Sequence, residues 1–370
     1  MKEQLVQVID KKDLQVLILT DGYNIHHLSG YRGHTGMLVA FQGEQYILTD
    51  SRYTEQVELE APEFTCVDIG REGYSKTIAG MLQKAFAKEG RSTLRIGFEN
   101  KEISYMQYQA LVDTFAKELT GMQVEFVPLE DAVNVYREVK TEDEIAKLAH
   151  AEQIGDEAFT EIVKFIHENW KDGLTEQRVA LQLEYEMRLR GAEGTSFDTI
   201  AASGSNSSLP HAMPQPKLLT EGDFLTMDFG CMYQGYCSDM TRTIHIGEVV
   251  EPEQKKVYDT VLQAQLAALS VVKPGMVCSD VDKCARDIIA DAGYGDYFGH
   301  GLGHSVGLFI HEEPRFSMKC DAVLKPGVVI TVEPGIYLPG RFGVRIEDMI
   351  VVTEDGYRNL ASSPKELICV

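Results

Sequence analysis

The stretch DFLTMDFGCMYQGYCSDMTRT, Asp223 to Thr243, reads as two strands around a tight turn. With the turn centred on Tyr233-Gln234, Asp228 lies directly across from Asp239, their Cβ atoms about 4.5–5.5 Å apart. A bulge at Gly235 would shift that register. Like charges so placed repel, and the apolar and aromatic residues around them raise the cost of burial. A bound cation removes both penalties.

The pattern recurs further along. Val328–Glu333 and Val344–Val352 read as strands, and a loop centred on Gly340 brings Glu333 opposite Glu347. Buried charges must be paired or metal-bound, so two facing pairs point to cations far more strongly than one. Two divalent ions would neutralise the four acids. Oxygen ligands favour Mn²⁺, Mg²⁺ or Ca²⁺, and an added imidazole moves the preference towards Mn²⁺, Fe²⁺, Co²⁺ or Zn²⁺.

A faint internal repeat puts these pairs in step. The segment Lys171–Leu174 precedes a helical pattern that stops at Gly191, and Lys273–Met276 precedes one that stops at Gly293. His211-Ala-Met-Pro214 is echoed by His311-Glu-Glu-Pro314, and Gly222 with Asp228 by Gly327 with Glu333. Two halves, each of helices plus a hairpin, packed face to face would collect one acid pair from each. Between the hairpins, FGHGLGHSVGLFIHEEP (Phe298–Pro314) carries His300, His304 and His311 among four glycines. No Gly-Lys-Ser/Thr follows, which excludes a phosphate loop, and His311-Glu312 does not extend to HExxH. His211 sits in a turn-rich loop suited to lining a site. His26, His27, His34, His150, His167 and His245 lack such context and read as surface or packing residues.

Upstream, residues 1–130 read as an α/β domain with a mixed sheet. Val16–Leu19, Thr65–Ile69 and Leu94–Phe98 are strand candidates; Met37–Phe41 and Gln45–Thr49 form a hairpin around Gln42–Glu44; helical patterns cover 74–89 and 103–119. A linker spans 131–140. Residues 141–370 then open on the capping box Thr141-Glu-Asp-Glu144, followed by an apolar stripe of Phe159, Ile162, Val163 and Ile166.

The whole chain has 370 residues and carries 57 acidic against 35 basic side chains, a net charge of −22. That excess repels nucleic acid and anionic membranes. No apolar run approaches the roughly 18 residues of a membrane span. The start lacks a signal peptide's uninterrupted apolar core, so a cytoplasmic location is expected. Seven cysteines without a CxxC indicate neither a disulfide framework nor a cysteine zinc site.

Together these segments resemble the metal-dependent Xaa-Pro peptidases of the pita-bread superfamily, peptidase family M24, near aminopeptidase P and prolidase. The likeness rests on Ser196–Gly204 through His211, Asp228…Asp239, His300-Gly-Leu-Gly-His304…His311, Thr331-Val-Glu333-Pro-Gly and Arg345-Ile-Glu347-Asp348. It extends upstream through Asn24–Gly30, Thr49–Tyr53 and Arg137–Ile145. It implies a creatinase/prolidase-like α/β N-terminal domain and an α+β pita-bread catalytic domain with a pseudo-twofold repeat. It makes Asp228, Asp239, His304, Glu333 and Glu347 ligands of two divalent ions, Mn²⁺ first, with Asp239 and Glu347 bridging. His211 and His311 would line the substrate side, His300 would neighbour the proline region, and Arg345 would hydrogen-bond a ligand carboxylate. A hydroxide bridging the ions would be the nucleophile, Glu333 would carry its proton to the proline nitrogen, and His311 would steady the oxyanion. The leading expectation is an aminopeptidase releasing the residue before proline; the alternative is an Xaa-Pro dipeptidase. A non-catalytic peptide-binding module is the reading from a different class. The resemblance also implies a homodimer.

Overall fold

The structure is a computed structural model that describes residues 2–86, 92–248 and 250–370. The chain divides into two compact units, Met1–Arg137 and Glu138–Val370.

The first unit runs α1 (Lys2–Lys11), β1 (Val16–Leu19), α2 (Gly22–Ser29), β2 (Met37–Phe41), β3 (Glu44–Thr49), α3 (Thr54–Glu60), β4 (Thr65–Asp68), α4 (Gly73–Phe86), β5 (Thr93–Phe98), α5 (Tyr105–Glu118) and β6 (Gln123–Pro128). Its six-stranded sheet has the order β4-β3-β2-β1-β5-β6. The β1–β2 and β2–β3 pairs are antiparallel, and β1–β5, β5–β6 and β3–β4 are parallel, so the sheet is mixed as expected. Strand β1 (VLIL) is apolar throughout because both faces are covered. Leu17 and Leu19 pack into one core, Val16 and Ile18 into the other. The helix read over 74–89 is seen over Gly73–Phe86; 87–89 lie outside the described residues. Helix α5 begins after Ser104 because that side chain caps it reciprocally with Gln107.

The second unit contains α6 (Glu142–Asn169), α7 (Glu176–Leu189), β7 (Gly194–Thr195), β8 (Ile200–Ser203), β9 (Phe224–Phe229), β10 (Cys231–Tyr233), β11 (Tyr236–Cys237) and β12 (Met240–His245). It continues with α8 (Pro252–Val271), α9 (Cys278–Asp291), β13 (Gly303–Ser305), β14 (Glu312–Phe316), β15 (Val329–Val332), β16 (Gly335–Leu338), β17 (Phe342–Arg345), β18 (Asp348–Val352) and β19 (Tyr357–Asn359). The doubling is plain. Helices α7 and α9 both have 14 residues, and each is followed by a glycine with positive φ, Gly191 at 99° and Gly293 at 89°. Each half has a helix pair over a sheet, β12-β9-β8 in one and β14-β13-β15-β18-β19 in the other, with its own apolar core. The capping box at Thr141 forms with Glu144.

Two sequence expectations are corrected. The first hairpin turns at Gln234-Gly235, both with positive φ (49° and 82°). A two-residue turn of this hand needs positive φ at both positions, and glycine supplies one without strain. Asp228 therefore faces Thr241, and Asp239 lies diagonally, two residues back along the opposing strand. A shift by two keeps both acids on one face. The second correction concerns 334–343, read as a loop. It contains β16 and the start of β17, and Val344–Val352 is split into β17 and β18. The register expected there holds: β16–β17 and β15–β18 pair on one common alignment, which sets position 333 against 347.

Residues 359–370 lie along the back of the second unit. The Asp156 carboxylate accepts from the backbone and hydroxyls of Ser362 and Ser363, at 2.6–2.8 Å. Arg242 donates to the carbonyls of Ser363 and Pro364 and to Asp348, which also receives Lys365.

Candidate active site

The acid-bearing positions meet where these strands end. Asp228 closes β9, Asp239 precedes β12, Glu333 follows β15 and Glu347 sits between β17 and β18. One carboxylate oxygen each from Asp228, Asp239 and Glu347 lies within 4.8 Å of the others. His304, on β13, brings Nε2 to 3.4 Å from Asp239 Oδ2 and 3.5 Å from Glu333 Oε1. All five expected ligand positions therefore converge. They line a cavity of about 650 Å³ together with His211, His300, His311, Arg315 and Arg345.

The protons show what this cluster lacks. His304 Nδ1 faces the Ser305 carbonyl at 3.2 Å, and a carbonyl only accepts, so Nδ1 carries the hydrogen. Burial, and then neighbouring His311, lower the His304 pKa to about 3. Its Nε2 is thus a bare lone pair aimed at two acceptor oxygens. Asp228 Oδ1 and Glu347 Oε1 are buried without a hydrogen-bond partner. Burial, followed by repulsion from Glu347 and Asp228, pushes the Asp239 carboxyl well above its usual range; burial, then Glu333 and Asp228, does the same to Glu347. Burial raises Glu333 to about 8, against the pull of Arg345. Orphaned acceptors, repelling carboxylates and an unprotonated imidazole together form the donor set that oxygen- and nitrogen-loving divalent cations fill.

Arg345 fixes this geometry. Its Nη2 donates to Asp228 Oδ2 at 2.6 Å, and its Nε to Thr241 Oγ1 at 3.0 Å. Thr241 then donates to Glu347 Oε2 at 2.7 Å. Arg345 Nη1 reaches Tyr337 Oη at 2.8 Å and the Pro210 carbonyl at 3.2 Å. Tyr337 donates to His300 Nε2, since His300 Nδ1 must give its hydrogen to the Gly301 carbonyl. Burial, then Arg345, lowers His300 to about 4. Thr331 Oγ1 accepts from the His304 N–H and donates to Glu333. Behind the cluster, the buried Glu152 of α6 accepts from the Asp239 N–H at 3.3 Å.

His311 stands on the open side, its ring 4.5 Å from that of His304, and its pKa is lowered by burial and then by Arg315. His211 is exposed at the same cavity. Sequence reading missed Thr241, Tyr337 and Arg315. Thr241 sits where the wrong turn centre had placed Asp239. Tyr337 fell in the supposed loop. Arg315 shares a strand-like alternation with His311 and Glu313, a signal present in the sequence but weak on its own.

Comparison with known proteins agrees with this geometry. The profile of metallopeptidase family M24 matches residues 146–354, and that of the creatinase/prolidase N-terminal domain matches 2–139. The Xaa-Pro dipeptidase of Pyrococcus furiosus is 37% identical over 367 residues, covering 99% of both chains. The structure of an Xaa-Pro dipeptidase from Bacillus anthracis superposes with a TM-score of 0.89 at 38% identity, covering 100% of this chain and 99% of that one. An X-Pro aminopeptidase from Thermotoga maritima superposes with a TM-score of 0.87 at 34% identity, over 98% and 100%. No described helix is long and apolar enough to cross a membrane. With its creatinase-type N-terminal domain and doubled pita-bread domain, the chain belongs to metallopeptidase family M24.

Proposed function

We propose that the protein is an Xaa-Pro dipeptidase whose site is formed by Asp228, Asp239, His304, Glu333 and Glu347 around two divalent cations, Mn²⁺ first among them. This reverses the order of the two activities taken from sequence. Arg315 carries the argument. Of the two arginines lining the cavity among the described residues, Arg345 is committed to Asp228, Thr241 and Tyr337. Arg315 is paired with exposed Glu313 at 3.1 Å, in a solvent-screened contact worth little. A dipeptide ends in a carboxylate directly after proline, and a guanidinium at the cavity wall suits that charge. A longer peptide offers a neutral amide there. The dipeptidases among the relatives support the same choice; the Thermotoga enzyme keeps the aminopeptidase as the second reading.

When bound, the cations activate water and polarise the scissile carbonyl. The chain's own residues do the rest. Glu333 takes the proton of the attacking water and passes it to the proline nitrogen. His311 donates to the developing oxyanion, and His211 lines the same side. His300, oriented through Tyr337, borders the proline ring. All seven cysteines are free thiols, which supports a reducing, cytoplasmic setting.

The test compares Xaa-Pro, Xaa-Pro amide and Xaa-Pro-Xaa peptides with Mn²⁺ present. Hydrolysis confined to the free-carboxylate dipeptide is expected. Arg315→Ala should raise KM for it by about tenfold or more, the loss of one charged hydrogen bond. Equal cleavage of the tripeptide would overturn the dipeptidase assignment.

A further inference from the structure

Glu176, on the first turn of α7, is fully buried and is not part of the cavity wall. Every acceptor site of its carboxylate is nevertheless used. Oε1 accepts from Ser203 N at 2.6 Å and Ser203 Oγ at 2.8 Å; Oε2 accepts from Asn206 Nδ2 at 2.8 Å and Gln215 N at 2.9 Å. These donors bracket one loop, from the end of β8 to Gln215. Its middle carries His211 and Met213, which line the cavity. Asn206 also donates to the Met213 carbonyl at 3.2 Å, so the carboxylate reaches the cavity-facing stretch through one side chain. On its inner side the loop is tied by Arg345 to the Pro210 carbonyl and by Ser207 to the Gly343 N–H. Glu176 is the outer anchor and Arg345 the inner one.

A buried carboxylate is expensive unless fully hydrogen-bonded, and one apolar residue in its place would serve helix packing as well. Without that carboxylate, the Ser203 and Gln215 N–H groups and the Asn206 amide would lose the acceptor they use. We infer that Glu176 is a positioning residue for substrate binding: it sets how far His211 and Met213 project into the cavity, and acts on the peptide only through them. This rests on reading the cavity as the peptide site. Because Glu176 touches neither the acid cluster nor His304, it bears on KM and not on the chemical step.

The test is Glu176→Gln. Its oxygen keeps one pair of donors, while its NH₂ confronts the other pair. KM for the hydrolysed Xaa-Pro peptide should rise about tenfold, with kcat within about twofold and Mn²⁺ content unchanged. In a His211→Ala background the same change should add less than about twofold, since coupled residues are not additive. An equal factor in both backgrounds, or a fall in kcat with metal content, overturns the inference. Amide hydrogen exchange at His211, Ala212 and Met213 should be faster in the variant than in the parent, and an unchanged rate overturns it too. That readout needs no turnover, so failure of the dipeptidase reading is seen separately. Should Glu176→Gln not fold, Asn206→Ala should raise KM about threefold with kcat kept; an unaltered KM in that variant also refutes the inference.

Discussion

Glu333 and His304 owe their chemistry to their surroundings, in opposite senses. His304 surrenders its one hydrogen to a carbonyl, and Glu333 keeps its carboxyl raised by burial. Glu333→Gln should retain the fold and lower kcat by about a hundredfold or more, the usual worth of a positioned acid–base group. A near-normal rate in a stopped-flow assay would remove Glu333 from the proton path. Thr241 is the subtler case. It receives Arg345 and donates to Glu347, so Thr241→Val should weaken Mn²⁺ binding by about 10–100-fold in chelator competition, and cost about 1–3 kcal/mol of stability by leaving Arg345 Nε and Glu347 Oε2 without that partner. The acids and His304 were legible because their types and spacing recur with the internal repeat. Thr241 was not, because its role comes from a facing strand whose alignment depended on one turn.

At the level of elements, the β9–β12 hairpin holds two of the acids at a diagonal, and Gly230 permits it. A Cβ on Gly230 would sit 1.9 Å from the Ser238 carbonyl and 2.4 Å from Ser196 Oγ. The facing backbone cannot yield without moving Asp239. Gly230→Ala should therefore cost about 1–3 kcal/mol by denaturant melting, and should lose Mn²⁺ out of proportion to that cost. Retention of full metal affinity would mean the hairpin is more pliant than its contacts imply. Strands β16 and β17 went unread for a related reason. Pro334-Gly335 and Pro339-Gly340 look like turn punctuation, and only the second pair lies at a reversal. Buried on all sides, their residues show no alternation to betray a strand. Helices α6, α7 and α9 were easier, since the capping box at Thr141 and the glycines at 191 and 293 mark their ends directly, whereas α8 went unread.

For the molecule as a whole, the acids divide three ways. Most are surface; some, such as Asp156, Glu176 and Asp348, are buried with protein donors; the last form the cluster whose members repel unless a cation sits among them. Removing metal with EDTA should lower the melting transition of the Glu138–Val370 unit and leave that of Met1–Arg137 in place. At about a hundred times Kd, Mn²⁺ adds roughly 2.7 kcal/mol. Proton and cation compete for the same oxygens. With Glu333 raised to about 8, and Asp239 and Glu347 raised as well, affinity should climb as pH rises towards about 8 and fall below it. Titration calorimetry between about pH 6 and 8 in buffers of different ionisation enthalpy would register the released protons, and pH-independent binding would contradict the raised carboxyls. The tail along the back of the unit has a consequence in time. Arg242, beside the acid-bearing hairpin, pairs with Ser363, which follows it by 121 residues. At about 5–20 residues per second the ribosome needs on the order of ten seconds to supply that partner. The nascent chain thus carries one half of its centre unsupported while the other is still being made, so cation capture waits until both halves of the unit have been synthesised.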